Sequence, residues 1–414
     1  MNYYRLGEGY CGSLLPLELP AAGEEEALAA AGVLPVVTEG DPARTRASWK
    51  VTHPAQLGCP PEGPAWLDAD RLPAGAPLAP ALAARLEEGT LMGVNRRWAG
   101  WERRAAPPAR RRLRLNLLAL GDVGGTLLIG LKLLGREALE SIGICDISPQ
   151  MCQRWEYEMN QTTYPWDYDA LPPVEIIPPE RLFDGDVFVF CASKGIPPVG
   201  SQVKDVRMAQ MEGNLSILRP YARMAREKGF EGLFAVVSDP VDILCKGAWL
   251  YSNQGEDGAF DGLGLRPEQV QGYGLGVMNG RAAYYAKKDP RFASFLTQGR
   301  AYGPHGQGLV IANSIGRYDD ALSRELTQLA LEANLRTRET GFKPYVAPAL
   351  SSGAISLVLT LEGKWHYSSN FLGGVWMGCK NRWTPAGLEL ESLPLPDALF
   401  VRLEETWESL GTIL

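Results

Sequence analysis

The chain has 414 residues, 45% hydrophobic and 21% charged, a globular composition whose length predicts two to four domains and excludes a disordered polymer. Its formal net charge of -7, from 48 acidic against 41 basic residues, argues against a protein that coats nucleic acid or anionic membrane and points to small molecules or proteins as partners. The charge is uneven, with Arg96, Arg97, Arg103, Arg104, Arg110, Arg111, Arg112 and Arg114 crowded into one stretch.

In chain order, residues 1–112 are rich in Ala, Pro and Gly and predict helices over 24–32 and 79–89, with VLPVVT at 33–38 as the best of few strand candidates. The acidic run at 24–26 suits the first turn of a helix, where it complements the macrodipole. APPARRR at 106–112 reads as a linker or a docking surface, because two prolines and a block of like charge break any periodic core pattern. From Leu113 the texture changes. LRLNLLAL, the glycine cluster GDVGGT, the apolar helical run LLIGLKLLG and then SIGICDI spell strand, turn, helix, strand. The alternation repeats with a strand at 186–193, a long amphipathic helix at 207–229 and a strand at 232–239. Such repetition implies an α/β fold, a doubly wound parallel sheet of the Rossmann type with helices on both faces. After Glu256 the pattern loosens into an extended run at 306–315, a long helix from Tyr318, alternating extended runs over 355–403 and a terminal helix. The expected division is an N-terminal module of unknown role (1–112), a nucleotide-binding domain (113–256) and a mixed α+β substrate lobe (257–414).

Seven scattered cysteines without a C-x-x-C pair indicate neither a disulfide framework nor a zinc site, and no metal is expected. The first residues lack a signal-peptide pattern and no run of about 18 apolar residues occurs, so a cytoplasmic protein with no membrane partner is expected. Trp155, Trp249 and Trp376 lie in apolar runs and read as core or interface.

GDVGGT between strand and helix supplies what a pyrophosphate requires: slim residues where the backbone must approach the ligand, and free N–H groups at a helix N-terminus. Gly121, Asp122, Val123 and Gly124 form this turn, with Ala119 standing in for the first glycine of G-x-G-x-x-G. Taken alone the motif is also satisfied by a bare glycine turn. Asp146, 25 residues beyond Gly121 at the end of the next strand, is placed to accept both ribose hydroxyls and to repel a 2′-phosphate, which favours NAD over NADP. The competing reading is that Asp146 caps the segment that follows it.

DVFVFCAS, RMAQMEGNLSIL, AVVSDPVDILCKGAWL and YGPHGQG resemble, in order and spacing, the lactate/malate dehydrogenase family from about Leu113 to the C-terminus. The resemblance implies NAD as cofactor, contacted also at Ala192, and makes His305, one of three histidines, the general acid/base at the substrate oxygen. It places Arg207, seven residues before Asn214, as the loop arginine that closes on substrate, with Lys204 as a second cation and Ser352 as a further substrate contact. It also implies a homodimer or homotetramer.

Three departures from the family pattern stand beside these matches. Asp239 occupies the place of the asparagine of N-P-V-D, where a negative charge would repel a carboxylate and welcome an amine or a hydroxyl. Asn279 stands where the family has the aspartate that orients the histidine, an exchange that keeps a hydrogen bond and loses the charge. The family's carboxylate-binding arginine falls on Ala282, with Arg281 one position and about 100 degrees of helix away. The expected function is therefore NAD-dependent hydride transfer to or from a hydroxyl/carbonyl substrate other than a plain 2-hydroxy acid. The alternatives are an amino or imine oxidoreductase, and an NAD-binding sensor or scaffold whose catalysis is impaired.

Overall fold

The computed structural model describes residues 1–104, 112–194 and 206–414, with the backbone alone at 104 and 206–210. The N-terminal residues build a five-stranded mixed sheet from β1 (Asn2–Leu6), β2 (Gly9–Ser13), β3 (Leu34–Thr38), β4 (Ser48–Lys50) and β5 (Leu91–Asn95), in the order β1-β2-β3-β5-β4. Helices α1 (Glu24–Ala29), α2 (Pro80–Glu87) and α3 (Trp101–Arg104) join them. The strand read at 33–38 is β3; the other four were not anticipated. They are short, and β1 and β2 are joined by a turn in which Gly7 takes a φ of +58°.

From β6 (Leu113–Leu118) the chain alternates as its pattern predicts: α4 (Asp122–Leu134), β7 (Leu139–Cys145), α5 (Pro149–Asn160), β8 (Val174–Ile176), β9 (Val187–Phe190), α6 (Val206–Glu227), β10 (Leu233–Val236), α7 (Val241–Ser252) and β11 (Val270–Gly272). The six strands pair in parallel in the order β8-β7-β6-β9-β10-β11, the doubly wound arrangement whose order reverses between β6 and β9. Their runs are apolar because both faces are covered; Leu115, Leu117, Phe188 and Phe234 are fully buried.

Next come α8 (Leu275–Ala286), α9 (Phe295–Gln298), a ribbon of β12 (Arg300–Tyr302) and β13 (Val310–Ala312), and α10 (Asp320–Glu339). A π-helical segment, Pro348–Ile355, leads into α11 (Ser356–Leu361). Residues 356–361 were read as extended and are helical instead: Ala354 and Leu350 pack so tightly on α4 that a Cβ at Gly130 would lie 2.4 Å from Ala354. The large sheet then continues antiparallel through β14 (His366–Leu372), β15 (Val375–Thr384) and β16 (Gly387–Leu390), and α12 (Asp397–Gly411) closes the chain.

The N-terminal sheet shares its core with these last elements. Trp49, Trp66, Leu67 and Leu91 pack in one cluster with Met377, Leu388, Leu399 and Leu403. Within the seam Arg46 pairs with Glu62 at 2.7 Å, both side chains essentially inaccessible, and Arg46 also donates to the Phe371 carbonyl at 2.8 Å. Glu268, just before β11, accepts the Ala47 N–H at 3.0 Å. Of the arginine block, Arg96 pairs with Glu39 at 2.8 Å and Arg114 with Glu140 at 3.4 Å, while Arg110 and Arg111 lie outside the described residues.

Candidate active site

The crevice at the carboxyl ends of the parallel strands is built first from backbone. After β6, Ala119 adopts a left-handed φ of +74°, the conformation that glycine supplies most readily, and Gly121 caps α4 without any side-chain hydrogen bond. A Cβ at Gly124 would lie 2.0 Å from the Ala119 carbonyl oxygen, so only glycine allows strand and helix to meet this closely. Above Gly121 a Cβ would meet nothing within 4 Å. Open space, a slim backbone and the unpaired first N–H groups of α4 fit a pyrophosphate. The neighbouring Asp122 turns outward and pairs with Lys343 at 2.8 Å.

Asp146 caps the segment that follows it, as one of its two sequence readings expected. Its Oδ1 accepts the Ser148 N–H at 2.9 Å, a cap on the following segment, and its Oδ2 accepts the Leu120 N–H at 2.7 Å, tying β7 to the glycine turn. Each carboxylate oxygen keeps a second acceptor position, so the half-buried group can still take ribose hydroxyls. Ile147 beside it is fully exposed, an apolar side chain that sequence reasoning passed over.

On the other side of the crevice, Ser238 donates to the Ala192 carbonyl at 2.7 Å. Asn214, buried on α6, accepts the Lys194 N–H at 2.9 Å and donates to the Asp239 carbonyl at 2.7 Å. It thereby joins the start of the loop after β9 to the turn after β10. Sequence reading had used Asn214 only to locate Arg207. Lys204 lies outside the described residues, as does the side chain of Arg207, whose backbone starts α6.

His305 comes from the turn between β12 and β13. Gly303, Gly306 and Gly308 all take positive φ there, Gly303 N–H donates to Gly378 of β15 at 2.9 Å, and Thr406 of α12 donates to the Gly308 carbonyl at 3.0 Å. Gly274, the residue before α8, leaves room for the ring; a Cβ there would come within 2.8 Å of the His305 Cβ. The ring Nδ1 lies 3.1 Å from Asp239 Oδ1. His305 is 19% and Asp239 53% exposed in their side chains. Burial by itself would lower the imidazole pKa, but the Asp239 charge and hydrogen bond, helped by Asp242, outweigh burial and the opposing Arg281 charge and leave it raised from 6.5.

The carboxylate at the histidine is thus Asp239, and not a group at position 279. Asn279 makes no side-chain hydrogen bond among the described residues and is half-buried on α8. Ala282 is 0% exposed in the core beneath α8. Arg281 lies within electrostatic reach of both Asp239 and His305, its Nη1 resting 3.4 Å from the Ala330 carbonyl. Ser352, expected against substrate, is only 1% exposed. Its hydroxyl is committed to holding the start of α8, donating to the Gly274 carbonyl at 2.7 Å and accepting the Val277 N–H at 2.8 Å.

Solved structures with a similar fold include a lactate dehydrogenase from a Medee basin deep-sea metagenome library (TM-score 0.58, 17% identity, 74% of this chain and 98% of that one). A second is malate dehydrogenase from Archaeoglobus fulgidus in complex with NADH (TM-score 0.57, 17% identity, 73% and 98%). The fold is that of the lactate and malate dehydrogenases. In sequence the likeness to these dehydrogenases is divergent: L-lactate dehydrogenase of Mesomycoplasma hyopneumoniae (strain 232) is 23% identical over 206 residues, 49% of this chain. The match spans 58% of that relative's length, less than two thirds. No family model matches the sequence. Beyond the dehydrogenase fold, among the described residues no helix is long and apolar enough to cross a membrane and no group of three or more His, Cys, Asp or Glu is placed to hold a metal.

Proposed function

We propose that this protein is an NAD-dependent oxidoreductase that moves a hydride between NAD(H) and a hydroxyl/carbonyl substrate, with His305 exchanging the accompanying proton at the substrate oxygen. The observation that carries this reading is the Asp239–His305 pair, 3.1 Å apart, on the same crevice as an uncapped glycine turn. NAD would be held by the Gly121–Gly124 turn and Asp146, and when bound it supplies or takes the hydride. A pKa raised above 6.5 keeps a fraction of the imidazole protonated near neutral pH, so the ring can serve in either direction.

The substrate is not a plain 2-hydroxy acid. Ala282, at the position the resemblance gives to the carboxylate-binding arginine, is buried, and the half-exposed Asp239 repels an anion placed beside His305 and offsets the nearby Arg281 charge. An amine substrate is the second reading, favoured by the same exposed carboxylate. A sensor without catalysis loses its motive, because the site still has a carboxylate on its histidine. A homo-oligomer agrees with the exposed Ile129, Leu133 and Leu134 on α4. A small-molecule partner, with neither nucleic acid nor membrane, agrees with the acidic balance, and a cytoplasmic site with seven free cysteines.

The test is NADH titration by fluorescence, followed by a screen of ketones, 2-oxo acids and amino-carbonyl compounds with wild type and His305→Gln. We expect NADH binding by both, and turnover by wild type that falls about 10²–10⁴-fold in the variant. No NADH binding, or equal turnover, overturns the reading.

A further inference from the structure

We infer that Asp239 is the positioning residue of His305, setting its tautomer and basicity, and that residue 279 has no part in this. The inference deepens the proton-exchange reading above and rests on it for its catalytic consequence alone. The Nδ1–Oδ1 distance of 3.1 Å fits a hydrogen bond in which Nδ1–H donates to the carboxylate. With that proton on Nδ1, Nε2 is the nitrogen left to give or take a proton from substrate. Asp239 is itself held in place by its backbone: the carbonyl accepts from Asn214 at 2.7 Å, on an asparagine that is fully buried.

The charged groups acting on His305 come from three elements. Asp239 stands in the turn after β10, Asp242 in the first turn of α7, and Arg281 on α8. Asp242 accepts a 2.6 Å hydrogen bond from Ser369, and burial pushes its own pKa up to about 6, so it contributes its full charge only above that pH. Arg281 opposes both acids. Asp239 is the one of the three in hydrogen-bond contact with the ring, which makes it the dominant influence.

The chain has three histidines, so ring titrations followed by NMR on the full-length protein are separable. His366, buried and pushed down to about 4, serves as an internal control. Asp239→Asn should lower the His305 midpoint by about one unit or more and shift the pH profile of kcat in the same direction, with NADH affinity retained. Asn279→Ala should leave the midpoint where it is. An unmoved midpoint in Asp239→Asn, or an equal fall in Asn279→Ala, overturns the inference. Should Asp239→Asn not fold, the wild-type ring is read directly by nitrogen chemical shifts: a neutral form with the proton on Nδ1 supports the assignment, and one with it on Nε2 overturns it. These readouts need no substrate. A protein that never turns over yet shows the Asp239-dependent midpoint would sink the enzymatic reading and leave the positioning intact.

Discussion

Between residues 113 and 252 strands and helices alternate along the chain, and β6, β7 and β10 are each followed within a few residues by a helix, whereas in the first 104 residues β3 and β5 pair although more than fifty positions separate them. The first region is assembled largely from neighbours in sequence, and its apolar cluster under α4, α5 and β7 also takes in Tyr273, Ala354, Leu357 and Val358. The second closes a small cluster of its own around Tyr4, Cys11 and Val37, but Trp49 and Trp66 are completed by residues of β15, β16 and α12, some three hundred positions away. The contrast teaches that the parallel-sheet half is built mainly from elements adjacent in sequence, while the larger core of the N-terminal sheet is completed by the C-terminal elements.

The sharpest way to break this comparison is Glu62→Ala, which leaves the buried Arg46 unpaired in the seam. Burial already raises the Glu62 pKa against the pull of Arg46, and Arg46 Nη1 has no partner to fall back on. Removing one member of such a pair costs about 3–5 kcal/mol. Chemical denaturation should show the whole chain losing stability in one transition; a separate early transition confined to the N-terminal sheet would mean that the two do not share a core.

A somewhat smaller effect is expected at Asp242, on the seam between α7 and β14. Its pKa rises from 3.8 to about 6 on burial, so the folded state holds a proton more tightly than the unfolded chain. That contribution to stability is present below about pH 4 and lost as pH rises through 6, a difference of about 3 kcal/mol for about two units. Asp242→Asn should therefore raise the melting temperature at pH 8 and not at pH 4. Equal gains at both pH values would remove the ionisation argument.

The smallest effect belongs to the local half. Ala119→Gly relieves a left-handed residue, worth roughly 1–2 kcal/mol, and adds unfolded-state freedom worth about 0.4–1 kcal/mol. A net gain of about 0.5 kcal/mol with NADH affinity unchanged is expected. A loss of stability would show that the Ala119 methyl makes contacts that outweigh its backbone cost.

The candidate site was legible to different depths. The glycine turn and Asp146 were located from short motifs at the ends of periodic elements, and His305 from the resemblance to the lactate/malate dehydrogenases. The partner of His305 could not. Asp239 and His305 are 66 positions apart, and the sequence showed an aspartate lost at 279 and one gained at 239 without showing which of them meets the ring. Ser352 differs from its expected role because its hydroxyl is taken up by the backbone at the start of α8, Gly274 and Val277. Of the N-terminal strands only β3 was read from the sequence, and β4, at three residues, is too short to show a period.

By itself the sequence determined the alternation of strand and helix from Leu113 and the place of the glycine turn, because hydrophobic periodicity and backbone sterics act over a few residues; His305 was picked out by the family resemblance. Tertiary structure alone decided that the first 104 residues pack into the C-terminal core, that Ala282 faces inward while Arg281 acts on the site, and that Asp239 holds His305. Those outcomes depend on contacts between segments tens to hundreds of residues apart, where a buried charge takes whichever partner the packing brings within hydrogen-bond distance.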